Sequence, residues 1–179
     1  ENKEDVKVIL GELEDSVINE IDMMVLSPGI AIDAPFVLRV KEAGVPIWGE
    51  IELAYVIGKG KLAAITGTNG KTTTTALVGE IMANYYDKVD VVGNIGNPYT
   101  TTAFDSTDDT VTVAEISSFQ LETIHTFKPD VSAVLNITPD HLNRHYTMEC
   151  YTDVKMSIAK NQDNNQPIVL NYEDPILRE

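Results

Sequence analysis

The chain has 179 residues, 43% of them hydrophobic, and its 13 basic and 28 acidic side chains give a formal net charge of −15 at pH 7. This charge argues against a general nucleic-acid-binding protein, because such proteins gain affinity by neutralising phosphates with basic side chains. No apolar run approaches the roughly 20 residues that cross a bilayer, and Cys150 is the single cysteine, so we expect a protein of the reducing cytoplasm with no membrane segment and no internal disulfide.

The first part of the chain predicts a short α/β unit. Its charged beginning, Glu1–Asp5, lacks the apolar stretch of a secretory signal. Because a Rossmann-like domain needs more βαβ units than this part supplies, we expect the chain to begin partway through such a domain. The predicted elements are a strand at 23–26, a helix that is capped by Asp33 and ends near Gly44, a strand at 46–48 and a helix at 50–57.

The tetrapeptide Gly58-Lys59-Gly60-Lys61 is small, polar and flexible, and it predicts a domain junction, with domains at 1–58 and 59–179. Beyond it, β-branched runs alternate with amphipathic stretches, which is the pattern of a mostly parallel sheet. Strands are predicted at 62–65, 89–92, 110–114, 131–135 and 168–170. Helices are predicted at 71–86, with an apolar stripe of Leu77, Val78, Ile81, Met82 and Tyr85, near Thr101, from Leu121, and at 148–160. The fold class is therefore α/β: a phosphate-loop central domain flanked by helices, preceded by part of a Rossmann-like domain.

A glycine-rich turn joins the first of these later strands to the long helix. Glycines at both ends of such a turn let backbone N–H groups point at phosphate oxygens, Lys71 supplies a positive charge, and the Thr72 hydroxyl is a ligand type that Mg²⁺ accepts. The standard phosphate-loop pattern has a glycine where this chain has Ile65, so the turn departs from it. The nucleotide-binding residues predicted here are Gly67, Thr68, Asn69, Gly70, Lys71, Thr72 and Thr73.

Two further side chains at predicted strand ends suggest metal binding. Glu115 ends a buried strand beside the one that carries the glycine turn, where a carboxylate can hold Mg²⁺ near Thr72. His141 follows another strand and offers an imidazole ligand, although a lone histidine is more often structural. His125 and His145 are interpreted as surface or capping residues.

Several strings together resemble the central domain of the Mur ligase family. They follow one another in the family's order and approximate spacing, and the Glu115–Glu122 string resembles the D-glutamate-adding branch in particular. Matches at Ser27–Ile30 and Gly49–Leu53 extend the resemblance to nearly the whole chain. The central-domain strings are Ile65–Thr72, Gly93–Pro98, Glu115–Glu122, Asn136–Leu142 and Tyr151 with Lys155.

The resemblance implies an ATP-dependent amide ligase of peptidoglycan precursor synthesis, and thus of cell-wall biogenesis, cell shape and division. It implies ATP, two Mg²⁺ ions and a carbamylated lysine at Lys155, since a cationic amine would itself repel magnesium. The implied substrates are UDP-N-acetylmuramoyl-L-alanine and D-glutamate. A third, C-terminal domain that binds the amino acid would lie outside this chain, so the 179 residues alone are expected to be inactive.

The same resemblance assigns roles to individual side chains. The implied catalytic residues are Lys71, Glu115, His141 and Lys155, and the implied metal ligands are Thr72, Glu115, His141 and Lys155. Polar groups on loops at strand ends commonly face a ligand, and the substrate-binding candidates are Ser27, Pro28, Gly29, Asn94, Ser117 and Gln120.

Two other functions remain open at this point. A folylpolyglutamate synthase uses a related glycine turn, and a non-catalytic nucleotide-binding module would use the turn without the rest of the site. The Glu115–Glu122 string disfavours the first, and the full set of candidate catalytic side chains disfavours the second. We expect the protein to act as a monomer, without nucleic acid or membrane.

Overall fold

The computed structural model describes residues 6–178, so the segment Glu1–Asp5, which gave no export signal, lies outside the described residues. Within the described part, none of the helices has the length and apolarity that a membrane span requires. The elements, in chain order, are α1 (Asp15–Ile18), β1 (Met24–Leu26), α2 (Pro35–Glu42), β2 (Ile47–Gly49), α3 (Glu50–Ile57), β3 (Lys61–Thr66), α4 (Lys71–Met82), β4 (Val89–Gly93), α5 (Tyr99–Ala103), β5 (Val111–Glu115), α6 (Ser118–Leu121), β6 (Val131–Val134), α7 (Leu142–His145), α8 (Met148–Met156), β7 (Ile168–Leu170) and α9 (Pro175–Arg178).

The strands form two parallel sheets. A small sheet pairs β1 with β2, and α2 connects them as the helix of a βαβ unit. The larger sheet has the order β4-β5-β3-β6-β7, with every neighbouring pair parallel. The predicted α/β class with a mostly parallel sheet is therefore confirmed. Because β3 lies between β5 and β6, the loops that follow these three strands leave the sheet side by side at one edge.

The start of α2 corrects one prediction. Asp33 does not cap this helix: the N-cap position is Ala34, and no side chain caps it. Pro35 occupies the first helical position, where its fixed φ suits the helix and its missing N–H costs nothing. The Asp33 carboxylate instead accepts a hydrogen bond from the Tyr146 hydroxyl at 3.0 Å. Asp33 therefore joins α2 to the end of α7.

The tetrapeptide at 58–61 is anchored rather than flexible. Gly60 has a φ of +88°, and a Cβ there would lie 2.1 Å from the carbonyl oxygen of Thr110. The backbone N–H of Lys59 donates to the Ser106 hydroxyl at 2.8 Å, and Lys61 already belongs to β3. Small polar residues indicated a linker, but here the glycine is required by a close approach of two backbones.

Helix α4 ends at Met82 and buries a different face from the predicted one. Gly79 lies so close to the sheet that a Cβ there would be 2.4 Å from Val91 Cγ2. This close contact turns Leu77, Ile81 and Tyr85 outward, and they are 59%, 49% and 80% exposed. Of the predicted stripe, Val78 and Met82 do pack against the sheet core. Hydrophobic periodicity favoured the larger side chains, whereas close packing on the sheet selected the small ones.

Helix α6 begins before the predicted Leu121. Its N-cap is Ser117, whose hydroxyl accepts a hydrogen bond from the backbone N–H of Gln120, and the Gln120 side chain returns to the Ser117 N–H. This reciprocal capping box satisfies donors that the helix start would otherwise leave free. The helix therefore starts immediately after β5.

Candidate active site

The site is built at the carboxyl edge of the larger sheet. Strand β3 pairs Ile65 with Glu115 of β5 on one side and Thr66 with Val134 of β6 on the other. The loop after β3 is therefore flanked by the loops after β5 and β6. Parallel strands bring their carboxyl ends to the same edge, and this edge is where open α/β sheets bind ligands.

The glycine turn after β3 requires both of its glycines. Gly67 has a φ of +145° and Gly70 a φ of +81°, conformations that side chains other than glycine rarely adopt. A Cβ on Gly67 would also approach Leu135 Cβ at 3.1 Å. Ile65, which replaces the glycine of the standard pattern, lies inside β3 and is 4% exposed. The isoleucine therefore extends β3 by a residue where the standard pattern has a glycine, and the two positive φ angles of the turn remain at Gly67 and Gly70.

The segment after β6 holds the glycine turn in shape. The Asn136 side chain accepts a hydrogen bond from the Asn69 N–H at 2.8 Å and donates one to the Asn69 carbonyl at 2.9 Å. The Thr68 hydroxyl donates to the Thr138 carbonyl at 3.1 Å and accepts from the Thr138 N–H at 3.0 Å. Two side chains thus pair with backbone groups across the two loops. These four hydrogen bonds fix the shape of the turn.

A hydroxyl and a carboxylate meet where α4 begins. The Thr72 hydroxyl donates to Glu115 Oε2 at 2.8 Å, and the Asn94 amide donates to Glu115 Oε1 at 2.9 Å. Glu115 is 2% exposed, so its orientation is fixed by these two partners. Both atom types are ligands that Mg²⁺ takes from proteins.

Two lysine amines contact carbonyl oxygens of the glycine turn. Lys71 Nζ donates to Thr68 O at 2.9 Å, and Lys155 Nζ donates to Gly67 O at 2.8 Å. Lys155 is 2% exposed and lies over the Tyr151 ring, with its Nζ 4.7 Å from the ring centroid. Burial, followed by the nearby positive charge of Lys71, lowers the pKa of Lys155 to about 7. Its amine is therefore neutral in a large fraction of molecules near physiological pH.

The side chains of Lys71 and Lys155 face a common cavity of about 250 Å³. The cavity joins the glycine turn to the loops after β4, β5 and β6 and to α8. Glu115 lies next to it, bonded to Asn94 at its wall. Lining residues include Lys71, Asn94, Ser117, Asp140, His141 and Lys155.

His141 lines the cavity and is the N-cap residue of α7. It is half exposed, its φ is +52°, and its ring lies 4.8 Å from the Phe119 ring between centroids. Within residues 6–178, no three His, Cys, Asp or Glu side chains cluster as a metal site. The predicted ligand set contains two residues of these types, Glu115 and His141, and takes its other members from Thr72 and Lys155.

The other two histidines have separate environments. His145 is 2% exposed, and its Nε2 lies 3.0 Å from the Ser118 hydroxyl. Burial, and then the charge of Arg144, lowers the pKa of His145 and holds its ring neutral. The interpretation of His145 as a surface residue is therefore wrong. His125 is exposed, and its Nε2 contacts the Ile47 carbonyl at 2.8 Å.

The substrate-binding candidates fall into two groups. Asn94 and Ser117 line the cavity beside Lys71. Ser27, Pro28 and Gln120 line a second cleft, between the small sheet and α6, next to the exposed Gly29. The Gln120 side chain is 3% exposed, and its carbonyl oxygen accepts the capping-box hydrogen bond from the Ser117 N–H. Of the nucleotide candidates, Thr73 is exposed at the start of α4.

Some residues of the site were missed as candidates in the sequence. Asn136 and Thr138 appeared only as part of a family string, although their place directly after the strand beside β3 indicates a contact with the glycine turn. Arg144 gave no signal in the sequence, and Glu122 appeared only as the last residue of a family string. Their pairing joins segments that are distant in the chain, and no local pattern shows it.

A glycine turn that presents backbone N–H groups, a lysine and a hydroxyl at the carboxyl edge of a parallel sheet defines a phosphate-loop protein of the α/β class. Comparison with known proteins narrows this class. Residues 65–179 match the family described as Mur ligase middle domain, and residues 1–49 match the family described as Mur ligase MurD-like, N-terminal domain. The chain belongs to the Mur ligase family.

Relatives with high identity carry one name. The UDP-N-acetylmuramoylalanine–D-glutamate ligase of Lachnospira eligens is 60% identical over 96% of this chain and 38% of the relative. The ligase of the same name from Clostridioides difficile is 51% identical over 97% of this chain and 39% of the relative. The chain thus spans about two fifths of the length of these relatives.

Solved structures show the same fold. A MurF ligase from Thermotoga maritima in complex with ADP matches with a TM-score of 0.58 and 22% identity, over 90% of this chain and 46% of that one. MurF from Acinetobacter baumannii matches with a TM-score of 0.55 and 16% identity, over 92% and 44% of the two chains. At these identities the likeness describes the fold.

Proposed function

We propose that the full-length protein that carries this chain is an ATP-dependent ligase that joins D-glutamate to UDP-N-acetylmuramoyl-L-alanine in peptidoglycan precursor synthesis. The observation that carries the proposal is the shared cavity: Lys71 of the glycine turn faces Asn94, His141 and Lys155 across it. The named relatives, identical at up to 61% of aligned positions, support the choice of substrates.

ATP binding rests on the glycine turn. The first turn of α4 supplies backbone N–H groups that have no acceptor within the helix, and Lys71 adds a positive charge in a chain that is acidic overall. The residues that would hold the phosphates are Gly67, Thr68, Asn69, Gly70, Lys71, Thr72 and Thr73. In this structure Lys71 bonds to Thr68 O, so phosphate binding would exchange that contact for a phosphate oxygen.

The residues present also fit Mg²⁺. Thr72 and Glu115 place a hydroxyl and a buried carboxylate within 2.8 Å of each other beside the phosphate turn, which suits a first ion. His141 and a carbamylated Lys155 would hold a second. Divalent cations at these positions would neutralise charge on the transferred phosphoryl group.

Carbamylation of Lys155 is supported by its environment. Only a neutral amine attacks CO₂, and the pKa of about 7 supplies that form near neutral pH. The nitrogen forms a bond to the carbon of CO₂ and loses one proton, which gives an anionic carbamate. The carbamate keeps one N–H, which can still donate to Gly67 O. The change replaces a repelled cation with a metal ligand.

The chemistry proposed is amide formation through an acyl phosphate. The carboxylate of the L-alanyl group attacks the γ-phosphorus of ATP, and the bond to ADP breaks. The amino group of D-glutamate then attacks the acyl carbon. The bond from that carbon to the bridging phosphate oxygen breaks, inorganic phosphate leaves with that oxygen, and the amine loses a proton to solvent. Lys71 would stabilise negative charge during the first step, which is mostly positioning and neutralisation.

Ser27, Pro28 and Gly29 are proposed to contact the uridine diphosphate part of the substrate, and Asn94, Ser117 and Gln120 its muramoyl part. We further propose domains at 1–58 and 59–179, with the amino acid bound by a region beyond the 179 residues. A cytoplasmic monomer that needs neither nucleic acid nor membrane completes the proposal.

The test is an amidation assay on full-length protein with ATP, Mg²⁺, UDP-N-acetylmuramoyl-L-alanine and a panel of D- and L-amino acids. We expect turnover with D-glutamate, a loss of at least about a hundredfold in Lys71→Ala, and no change in Lys41→Ala, which removes an exposed lysine of α2. Turnover with a folate substrate instead would favour a folylpolyglutamate synthase. Equal activity of Lys71→Ala and wild type would contradict catalysis at this cavity.

Two further measurements test the finer parts. ¹³C-bicarbonate should give a carbamate NMR signal that is absent in Lys155→Arg and retained in Lys160→Arg. The isolated 179-residue chain should release no phosphate that depends on the UDP substrate. Measurable release would contradict the need for a further domain.

A further inference from the structure

The guanidinium of Arg144 joins the first part of the chain to the site. It donates to the carbonyl oxygens of Pro28 and Ile30, each at 3.0 Å. It also donates to both carboxylate oxygens of Glu122, at 3.3 Å through Nε and through a short contact of Nη2. One side chain on α7 therefore binds the turn after β1 and the end of α6 at the same time.

The turn that Arg144 binds is the one proposed to meet the uridine diphosphate. A hydrogen bond from the Ile30 N–H to the Ser27 carbonyl at 2.9 Å closes it. Both carbonyls held by Arg144 belong to this turn. Arg144 therefore ties this turn directly to α7 and to the end of α6.

The other face of the same guanidinium rests on the cavity wall. Its carbon lies 4.1 Å from the centroid of the Phe119 ring, and Phe119 packs against His141 with centroids 4.8 Å apart. Phe119 and His141 both line the cavity. Arg144 thus connects the turn at Ser27–Ile30 to the side chains that face Lys71.

Most of the hydrogen-bonding capacity of Arg144 is used inside the protein. Its side chain is 15% exposed and that of Glu122 is 6% exposed, so the pair is largely removed from water. Four of its five N–H groups are used by the bonds described. A lysine keeps the charge but lacks the planar fork that reaches two carbonyls and a carboxylate together.

We infer that Arg144 is a positioning residue that sets the affinity for the nucleotide-sugar substrate by fixing the Ser27–Ile30 turn against Phe119. This inference rests on the proposed function and adds to it a residue that positions the substrate-binding turn. It predicts a larger effect on the UDP substrate than on ATP, because the hydrogen bonds of Arg144 go to the Ser27–Ile30 turn and to Glu122, whereas Asn136 holds the glycine turn at Asn69.

The experiment uses full-length protein and the variants Arg144→Lys and Glu122→Gln. Arg39→Lys is the matched control, since Arg39 also joins two acidic side chains, Glu12 and Asp15, but on the surface of the first part. The KM values for UDP-N-acetylmuramoyl-L-alanine and for ATP, kcat and the melting temperature are measured for each. Arg144→Lys should raise the KM for the UDP substrate about tenfold or more and leave the KM for ATP within about twofold.

The outcomes separate the inference from the proposed function. If wild-type protein does not join D-glutamate to the UDP substrate, the proposed function is wrong. If wild type is active but Arg144→Lys leaves both KM values unchanged or raises both together, the positioning role is wrong. Should Arg144→Lys fail to fold, the same KM comparison is made on Glu122→Gln, because this change weakens the contact between Glu122 and Arg144 and keeps the guanidinium. Arg39→Lys should change none of the four quantities.

Discussion

The amine of Lys155 donates a hydrogen bond to the carbonyl oxygen of Gly67 at 2.8 Å, while burial lowers the pKa of that amine to about 7. In an unfolded chain the pKa would be near 10.5. Between these values the folded state binds fewer protons than the unfolded state, so stability rises with pH across this window.

Lys155→Met should therefore stabilise the protein most below pH 7, and its advantage should shrink by up to about 1.4 kcal/mol per pH unit as the pH rises above 7. Urea unfolding at several pH values, in CO₂-free buffer without Mg²⁺, measures the difference. For Lys41→Met, at an exposed position, the free energy of unfolding should change with pH as it does in wild type. A constant difference for Lys155→Met would show that the amine is not titrating in this range.

Glu52 on α3 is a buried carboxylate that holds the loop at 125–127. Burial raises its pKa, but hydrogen bonds from Thr126 Oγ1 and from the backbone N–H groups of His125, Thr126 and Phe127 lower it below 4.5 overall. We expect Glu52→Gln to destabilise the protein by about 3 kcal/mol at pH 7, because an amide NH₂ would face donors.

The contribution of Glu52 is present above pH 4.5 and is lost as the pH falls through its lowered pKa, so the difference should shrink in acid. Glu50→Gln is the control on the same helix. Burial raises the pKa of Glu50, and its replacement should be neutral or stabilising at pH 7. Chemical denaturation of both variants at pH 7 and pH 4 measures these differences. A loss of stability in Glu52→Gln that is the same at both pH values, or that Glu50→Gln matches at pH 7, would contradict this account.

Gly93 at the end of β4 allows the closest backbone approach in the site. Its φ is +103°, and a Cβ would lie 2.2 Å from the Glu115 carbonyl oxygen. Gly93→Ala should cost at least about 3 kcal/mol of unfolding free energy and also activity, since it displaces the Asn94 N–H that bonds the same oxygen. Gly96→Ala, with a φ of +55° and no atom within 4 Å, should cost only about 1 kcal/mol. Similar losses for the two variants in thermal unfolding would argue against the clash.

Asn136 shapes the phosphate turn with one accepted and one donated hydrogen bond. Asn136→Asp keeps the acceptor for the Asn69 N–H but replaces the donor, so it should weaken binding of ADP by about tenfold. Calorimetric titration of full-length protein measures this value. Asn165→Asp adds the same charge at an exposed position and should not change it. Unchanged ADP affinity in Asn136→Asp would mean that the turn holds its shape without this pair.

Much of the fold was readable because it depends on local signals. The alternation of β-branched runs with helices predicted the α/β class, and the glycine turn before Lys71 placed the phosphate site at a strand end. Helix α4 shows where such signals fail: Leu77 and Ile81 point outward because Gly79 brings the helix close to Val91. Periodicity ranks side chains by hydrophobicity, whereas the distance between helix and sheet is decided by size.

The sequence predicted which residues belong to the site, but only some of the contacts between them. Strand order decides which loops are neighbours, and from it the contacts of Thr72 with Glu115 follow. Arg144 contacts Pro28 and Ile30, which lie 116 and 114 residues before it in the chain. No pairwise rule of the sequence links them, because they arise only when the two sheets are packed together.

Because β3 lies between β5 and β6, the glycine turn that follows β3 is synthesised before the segments that pack beside it. A ribosome releases the glycine turn early, yet the amide of Asn136 that holds this turn leaves the exit tunnel only after α4, β4 and β5 have emerged. Until then the nascent chain carries a loop rich in left-handed glycines with no neighbour on one side. The turn can therefore take its final shape only once the strand that follows Pro129 has been inserted beside β3.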